Sequence, residues 1–225
     1  MPFFTPPALI SILIAITVHE AAHAFMARKL GDPTAEDAGR LTLNPIAHLD
    51  MLGSLMFLFV GFGWAKPVPV DPRYFSHPKR DNALVAVVGP LSNLVLAFCA
   101  FAGLVFMGYP MDATDPMLLL SVVKEGSVAE MFALEVLEKS LFINLALMAF
   151  NLLPVAPLDG SKVLQMFIPR EYEDQYETIM QRGPIILLFL ILAGIFLNFP
   201  FLLWWVMFII EPVLRLMQMV AALLS

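Results

Sequence analysis

The most informative stretch of this sequence is residues 19–23, which read His19-Glu20-Ala21-Ala22-His23 within the apolar stretch 10–27. Positions four residues apart share one face of a helix, so both imidazoles can reach the same metal ion. Glu20 lies beside them and can handle a proton of an attacking water. Polar groups at membrane depth are costly and by default mark function. The stretch therefore predicts a metal-binding helix inside a lipid bilayer, with a group suited to hydrolysis.

The composition is that of an integral membrane protein. Of 225 residues, 60% are hydrophobic and 14% charged, whereas soluble domains are about 45–50% apolar and about 25% charged. The net charge of −6 comes without a basic stretch, which argues against nucleic acid as a partner. The first apolar stretch has no basic residues before it and contains the histidine motif, so we interpret it as retained rather than as a cleaved signal peptide.

The apolar segments predict one all-α polytopic membrane domain over residues 1–225. About five transmembrane helices are expected, near 7–30, 82–107, 131–153, 184–199 and 201–224. The apolar run 51–64 is too short to span a bilayer and is expected to be re-entrant or interfacial. The flanking segments 39–44 and 65–70 carry β-branched residues and prolines, which predicts a short β-containing element around that run.

The basic residues predict the orientation of the chain. They concentrate at positions 28–80 and 162–182, whereas the segment 108–130 has only Lys124. The positive-inside rule then places segments 31–81 and 154–183 in the cytoplasm. His19 precedes Arg28 by nine residues, or roughly 14 Å of helix. The predicted metal therefore lies within the membrane, towards its cytoplasmic side.

Two histidines leave a catalytic metal site incomplete, because catalytic zinc usually has three protein ligands. Asp159 is the best further candidate, since it follows a proline-broken helix end at 151–158 and precedes Gly160, which permits a tight turn. Asp159 could instead cap that turn. His48 is a competing third ligand, although we favour a structural or supporting role for it.

Several motifs together resemble the site-2 protease family of intramembrane zinc metalloproteases in its compact form. Beyond the histidine motif, they are residues 39–45 (GRLTLNP) with His48 and Asp50, 63–70 (GWAKPVPV), 89–93 (GPLSN), 151–154 (NLLP) and 158–160 (LDG). The likeness covers roughly residues 10–165, followed by C-terminal helices at about 184–224. It implies that His19, His23 and Asp159 bind one Zn²⁺ and that Glu20 is the catalytic acid/base. The segment 108–130 is too short for the PDZ domain that some members insert.

The resemblance implies hydrolysis of peptide bonds in or near transmembrane segments of single-span or membrane-anchored proteins. The compact form suggests a multi-pass protein of a prokaryotic cell membrane. Asn93 and Asn151 are expected to form interhelical hydrogen bonds or to stabilise an oxyanion or the opened substrate. The alternatives are a membrane metal transporter and a catalytically silent scaffold. The sequence does not define the oligomeric state.

Overall fold

The computed structural model describes residues 5–60, 63–108 and 126–224, and the regular elements of this part are helical. The α-helices are α1 Pro6–Lys29, α2 Thr34–Asp37, α3 Pro45–His48, α4 Met51–Val60, α5 Pro78–Phe106, α6 Val128–Asn151, α7 Asp159–Gln165, α8 Glu173–Gln181, α9 Gly183–Phe196 and α10 Phe201–Leu224. Short 3₁₀ helices occur at Pro72–Tyr74 and Arg170–Tyr172. The expected all-α architecture is thus observed.

Local sequence signals explain where the long helices begin. The Thr5 side chain accepts a hydrogen bond from the Ala8 amide at the start of α1, where the first two positions are prolines. At the start of α6, Ser127 and Glu130 form a reciprocal capping box. These caps satisfy backbone amides that have no partner within the helix.

Helices α1, α5 and α6 pack against one another and form the centre of the molecule. The Ser11 hydroxyl of α1 donates to the Val136 carbonyl of α6 at 3.1 Å, and Ser140 of α6 donates to Ser11 at 3.0 Å. Helix α10 packs on the outer side of α5 and α6, where the apolar core contains Leu104, Leu141, Leu145, Leu214 and Met217. Helix α7 packs against α5 and brings the segment after α6 back to the bundle.

Three helices of the described part are long and apolar enough to cross a membrane: Pro6–Lys29, Pro78–Phe106 and Phe201–Leu223. A fourth span results if the pair Arg170–Gln181 and Gly183–Phe196, bent by 53°, counts as one. Helix α6 has the expected position and 24 residues, but Glu135, Glu138 and Lys139 lie in its first half. These charges explain why it differs from the three apolar spans, and the predicted number of five stays unconfirmed.

The segment around α4 differs from the expected β-containing element. The run 51–64 begins as the helix α4, and the described residues of the flanking segments contain one isolated antiparallel bridge, Leu49 with Ala65, in place of strands. Asn44 caps α3 instead of continuing a strand. Pro67 and Pro69 have no amide hydrogen and cannot donate to a β-ladder. Proline and capping chemistry therefore limit strand pairing here.

Candidate metal centre

Helix α1 presents both histidines of the motif on one face, towards the interior of the bundle. His19 and His23 are 7% and 8% exposed. Their Nε2 atoms lie 3.0 Å apart, with the rings nearly perpendicular. The four-residue spacing thus brings two imidazole nitrogens together on one helix face.

Asp159, the first residue of α7, lies beside these two histidines. Its Oδ2 atom lies 3.2 Å from Nε2 of His19 and 3.2 Å from Nε2 of His23, and the residue is 6% exposed. The turn before α7 folds tightly, since a Cβ at Gly160 would lie 2.3 Å from the carbonyl oxygen of Leu152. Glycine is therefore required beside Asp159 to bring the carboxylate into place.

Hydrogen bonds on the far side of each ring determine which nitrogen carries the proton. Nδ1 of His23 lies 2.7 Å from the carbonyl oxygen of Val85, which can only accept, so this Nδ1 is protonated. Nδ1 of His19 lies 2.6 Å from Oδ1 of Asn93. A neutral imidazole carries one ring hydrogen, so with that hydrogen on Nδ1 the Nε2 atom has a lone pair available to a metal ion.

A chain of amide groups fixes the orientation of Asn93. Nδ2 of Asn144 donates to the Ser140 carbonyl at 2.8 Å, so the Asn144 Oδ1 is an acceptor. Nδ2 of Asn93 donates to that oxygen at 2.9 Å and to the Ala15 carbonyl at 3.2 Å. Both amide hydrogens of Asn93 are thereby used, and its Oδ1 must face His19.

Three hydrogen-bond acceptors consequently face one another with no donor between them. Oδ2 of Asp159 is buried without a hydrogen-bond donor, and it meets two Nε2 lone pairs. Such an arrangement is repulsive unless a cation lies between the three atoms.

The spacing of the three atoms suits zinc. Zinc–ligand distances of about 2.0–2.1 Å at a tetrahedral angle put two ligand atoms roughly 3.3 Å apart, close to the 3.0–3.2 Å found here. Among the described residues, His19, His23 and Asp159 form the grouping able to hold a metal ion. Two imidazoles with one carboxylate are a ligand set of catalytic zinc sites that leave a position free.

Helix α5 passes unusually close to the histidines at Gly89. A Cβ at this position would lie 2.4 Å from Nε2 of His23 and 2.7 Å from Cε1 of His19. Gly89 and Asn93 are one turn apart on α5, so one face of this helix both makes room for the rings and orients one of them.

We expect Gly89→Ala to reduce zinc occupancy strongly, because the added methyl group must displace one or both imidazoles. Gly103→Ala on the same helix is the matched control, since its Cβ would meet only the flexible end of Leu137 at 3.0 Å. Zinc per chain in the purified variants, measured by plasma mass spectrometry, distinguishes them. Equal zinc content in both variants would contradict this account of the α5 face.

Glu20 is held by the segment that follows α4. The backbone amide of Val68 donates to Oε2 of Glu20 at 3.1 Å. The same segment is anchored by the Lys66 amide, which donates to the His48 carbonyl at 2.9 Å, and by the buried Arg40, whose guanidinium donates to the Lys66 carbonyl. The motifs 39–45 and 63–70 thus meet beside the Glu20 carboxylate, which neighbours His19 in the sequence.

The other residues singled out in the sequence lie outside the ligand cluster. His48 is fully buried, and its Nε2 bonds the Thr42 carbonyl at 2.8 Å. Asn151 donates to the Leu147 carbonyl at 3.0 Å within α6. The prediction about a PDZ domain concerns a segment of which residues 109–125 lie outside the described part of the chain.

Sequence reasoning missed three contributions to the site. The Val68 amide and the Val85 carbonyl are backbone groups, which leave no signature in residue type. The role of Gly89 could have been inferred, since glycine one turn before Asn93 in a helical segment indicates a close approach.

The sequence is similar to one peptidase family and to several proteins designated as zinc metalloproteases. The sequence profile of peptidase family M50 matches residues 7–191. Three similar proteins share the designation "Putative zinc metalloprotease": YwhC of Bacillus subtilis, Rip2 of Mycobacterium tuberculosis and MJ0611 of Methanocaldococcus jannaschii. No solved structure gives a significant match.

The extent of these similarities differs among the three proteins. Identity to YwhC is 42% over 165 residues, covering 73% of this chain and 70% of YwhC. Identity to Rip2 is 28% over 187 residues, covering 80% of this chain and 64% of Rip2, slightly less than two thirds of that protein. Identity to MJ0611 is 28% over 158 residues, covering 70% of this chain and 69% of MJ0611.

Proposed function

This chain belongs to peptidase family M50, and we propose that it is an intramembrane zinc metalloprotease that hydrolyses peptide bonds in or near transmembrane segments of membrane-anchored proteins. The observation that carries the proposal is the meeting of three acceptor atoms, from α1 and from the distant start of α7, with no donor among them. They belong to helices packed in an apolar bundle, where such polar groups are retained only for a function.

His19, His23 and Asp159 would hold the ion. A bound Zn²⁺ would supply Lewis-acid polarisation of the scissile carbonyl and lower the pKa of a water towards neutrality. Glu20 would take a proton from the attacking water on its carboxylate and deliver it to the leaving amine. The Val68 amide holds one oxygen of that carboxylate, which leaves the other oxygen for the proton.

For Asn93 we propose orientation of His19 in place of oxyanion stabilisation. Its two amide hydrogens are engaged by Ala15 and Asn144, while its oxygen fixes the His19 ring. Partners of this kind raise the basicity of a metal-bound imidazole and determine its tautomer. A role for Asn151 with the opened substrate stays a prediction.

We further propose that the substrate, once locally unwound, lies along segment 63–70. Lys66 and Val68 turn their amides towards the protein. Pro67 and Pro69 then offer carbonyl oxygens and no amide hydrogens on the other side. A substrate strand would therefore be held mainly through its own amide hydrogens. A crosslinking map that places the substrate far from this segment would contradict the proposal.

The topology of the proposed enzyme follows from charge and packing. We propose that α6 also crosses the bilayer, because it packs along α1 and α5, and that its charged first half emerges near segment 108–130. The site then lies nearer the cytoplasmic surface of a prokaryotic cell membrane.

The two alternatives, a metal transporter and a catalytically silent scaffold, predict different experimental results. A metal transporter would need polar ligands along a whole pathway and would have no use for Glu20, while a silent scaffold would not need an intact ligand set. The test is to purify the chain in detergent, measure its zinc, and incubate it with a model single-span protein. We expect one zinc per chain and cleavage that a chelator stops and added zinc restores. Zinc without cleavage of any single-span substrate tried would favour the alternatives.

A further inference from the structure

Asp32, just beyond the end of α1, is a buried carboxylate that the proposed chemistry does not involve. It is 0% exposed, and both of its oxygens accept hydrogen bonds. Oδ1 accepts from the backbone amide of Thr34 at 2.9 Å and from the Thr34 hydroxyl. Oδ2 accepts from the backbone amide of Asp71 at 2.8 Å, 39 residues along the chain. One oxygen of Asp32 therefore serves the local turn, and the other holds a distant segment.

The backbone of Asp32 is fixed to the helix that carries the histidine motif. Its amide donates to the Ala27 carbonyl at 2.9 Å, and the Gly31 amide donates to the Arg28 carbonyl at 3.1 Å. Gly31 has a φ of +105°, so α1 ends in a Schellman motif, which gives its last carbonyls partners. Asp32 thus has a defined position relative to Glu20 on the same helix.

A short stretch of chain joins these two carboxylates. Val68 donates its amide to Glu20 at 3.1 Å, and Asp71 donates its amide to Asp32. Three residues of extended chain span at most about 10 Å, and Val70 between them packs against the apolar cluster around the end of α1. The two hydrogen bonds therefore leave this stretch little freedom to slide along α1.

The register of this stretch decides whether Glu20 has a hydrogen-bond donor. Val68 lies between Pro67 and Pro69, and neither proline has an amide hydrogen. A shift by one residue would set a proline opposite the carboxylate, and successive residues of an extended chain also face opposite sides. A misplaced segment would therefore leave Glu20 without the donor that holds it.

We propose that Asp32 is a positioning residue: by holding the Asp71 amide, it keeps Val68 opposite Glu20 and so fixes the carboxylate that transfers the proton. The hydrogen bond of the Lys66 amide holds the other end of the segment. The catalytic consequence rests on the proposed function, whereas the effect on the segment does not. Misplacement of a reacting group by about 1 Å can cost on the order of 100-fold in rate.

Two substitutions separate the local role of Asp32 from its role in the distant segment. Asp32→Asn keeps one oxygen for the amide and hydroxyl of Thr34, since asparagine caps a helix about as well as aspartate. It turns an NH₂ group towards the Asp71 amide, where two donors face each other. Thr34→Val is the matched control, because it removes a hydrogen bond of Asp32 and leaves the bond to Asp71 intact.

Hydrogen–deuterium exchange by mass spectrometry reports on residues 66–71 directly, since the prolines leave four exchangeable amides there. We expect Asp32→Asn to exchange at least about tenfold faster in this segment. Its kcat for a single-span substrate should fall about tenfold or more, with zinc per chain unchanged. Thr34→Val should match the wild type in all three measurements. Asp32→Ser also keeps a single capping oxygen and should behave as Asp32→Asn does, which provides a second variant if the first does not fold.

Three results would overturn the proposal. They are wild-type exchange in the Asp32 variants, an unchanged kcat with only KM altered, and equal losses in Thr34→Val, which would indicate a purely local structural role. A wild-type chain that cleaves no single-span substrate would count against the proposed function instead. The exchange measurement would then still decide whether Asp32 sets the register of segment 66–71.

Discussion

Replacing Glu20 by glutamine is expected to stop peptide-bond hydrolysis while leaving bound zinc unchanged. Glutamine has the same length, and its carbonyl oxygen can still accept the Val68 amide that holds Glu20 at 3.1 Å. It cannot take a proton from the attacking water. Proton transfer by a positioned side chain contributes typically about 10²–10⁴-fold, so we expect kcat to fall by at least that factor. The measurement is cleavage of a single-span substrate alongside zinc per chain.

Glu36→Gln is the control for this experiment, because Glu36 is an exposed carboxylate whose partner is Arg28. It should keep both zinc and activity. If Glu20→Gln cleaves at the normal rate, another group takes the proton and the assignment of Glu20 fails. If the variant loses zinc, the effect lies in the metal site and the comparison must be repeated with Glu20→Asp.

Asp159→Ala is expected to lose both zinc and activity. The change removes the carboxylate from the three converging atoms and leaves only the two imidazoles. Loss of an outer-shell partner already costs roughly 10–100-fold in metal affinity, so loss of a ligand should exceed this. Zinc affinity from competition with a chromophoric chelator measures the difference directly.

Asp81→Ala provides a matched control, since Asp81 is also a buried carboxylate but is bonded to the His77 amide and to Arg80. That variant should unfold more easily yet retain zinc when folded. Full zinc content in Asp159→Ala would place the third ligand elsewhere, and His48 would be the first residue to test.

The meeting of His19, His23 and Asp159 was predictable because each of these residues obeys a local rule. The four-residue spacing of His19 and His23 fixes a common face whatever surrounds the helix, and Asp159 precedes a glycine after a broken helix. The supporting groups were not predictable in the same way. Asn93 was assigned two possible roles, and only the orientation of Asn144 and the Ser140 carbonyl fixes which of its atoms faces His19.

The sequence pattern of segment 39–70 predicted a β-containing element that the structure does not confirm. Its β-branched residues favour extended backbone, and in segment 65–70 the Lys66 and Val68 amides donate to the His48 carbonyl and to the Glu20 carboxylate. Pairing between strands needs amide donors as well, and Pro67 and Pro69 supply none. Residue type therefore did not predict the partner of each backbone group, and the expected β-containing element stays unconfirmed.

The predicted number of membrane spans depends on how the charged residues of α6 are treated. An average hydropathy over the helix hides them. Residues 131–153 are apolar enough in sum to suggest a transmembrane helix, and α6 indeed runs through them. Its Glu135, Glu138 and Lys139 lie in one turn, and such a cluster is tolerated only where water or protein surrounds it.

The amide chain from Ser140 through Asn144 and Asn93 to His19 has a consequence for how the protein moves. It ties α6, α5 and α1 together in register. Sliding any of the three by one turn would sever it and leave buried amides without partners, a cost of roughly 1–3 kcal/mol for each. If the proposed function holds, a helical substrate would have to enter while these three helices stay in place. We therefore expect any movement that admits a substrate to involve peripheral elements: α4, segment 63–70 or the bent α8–α9 pair.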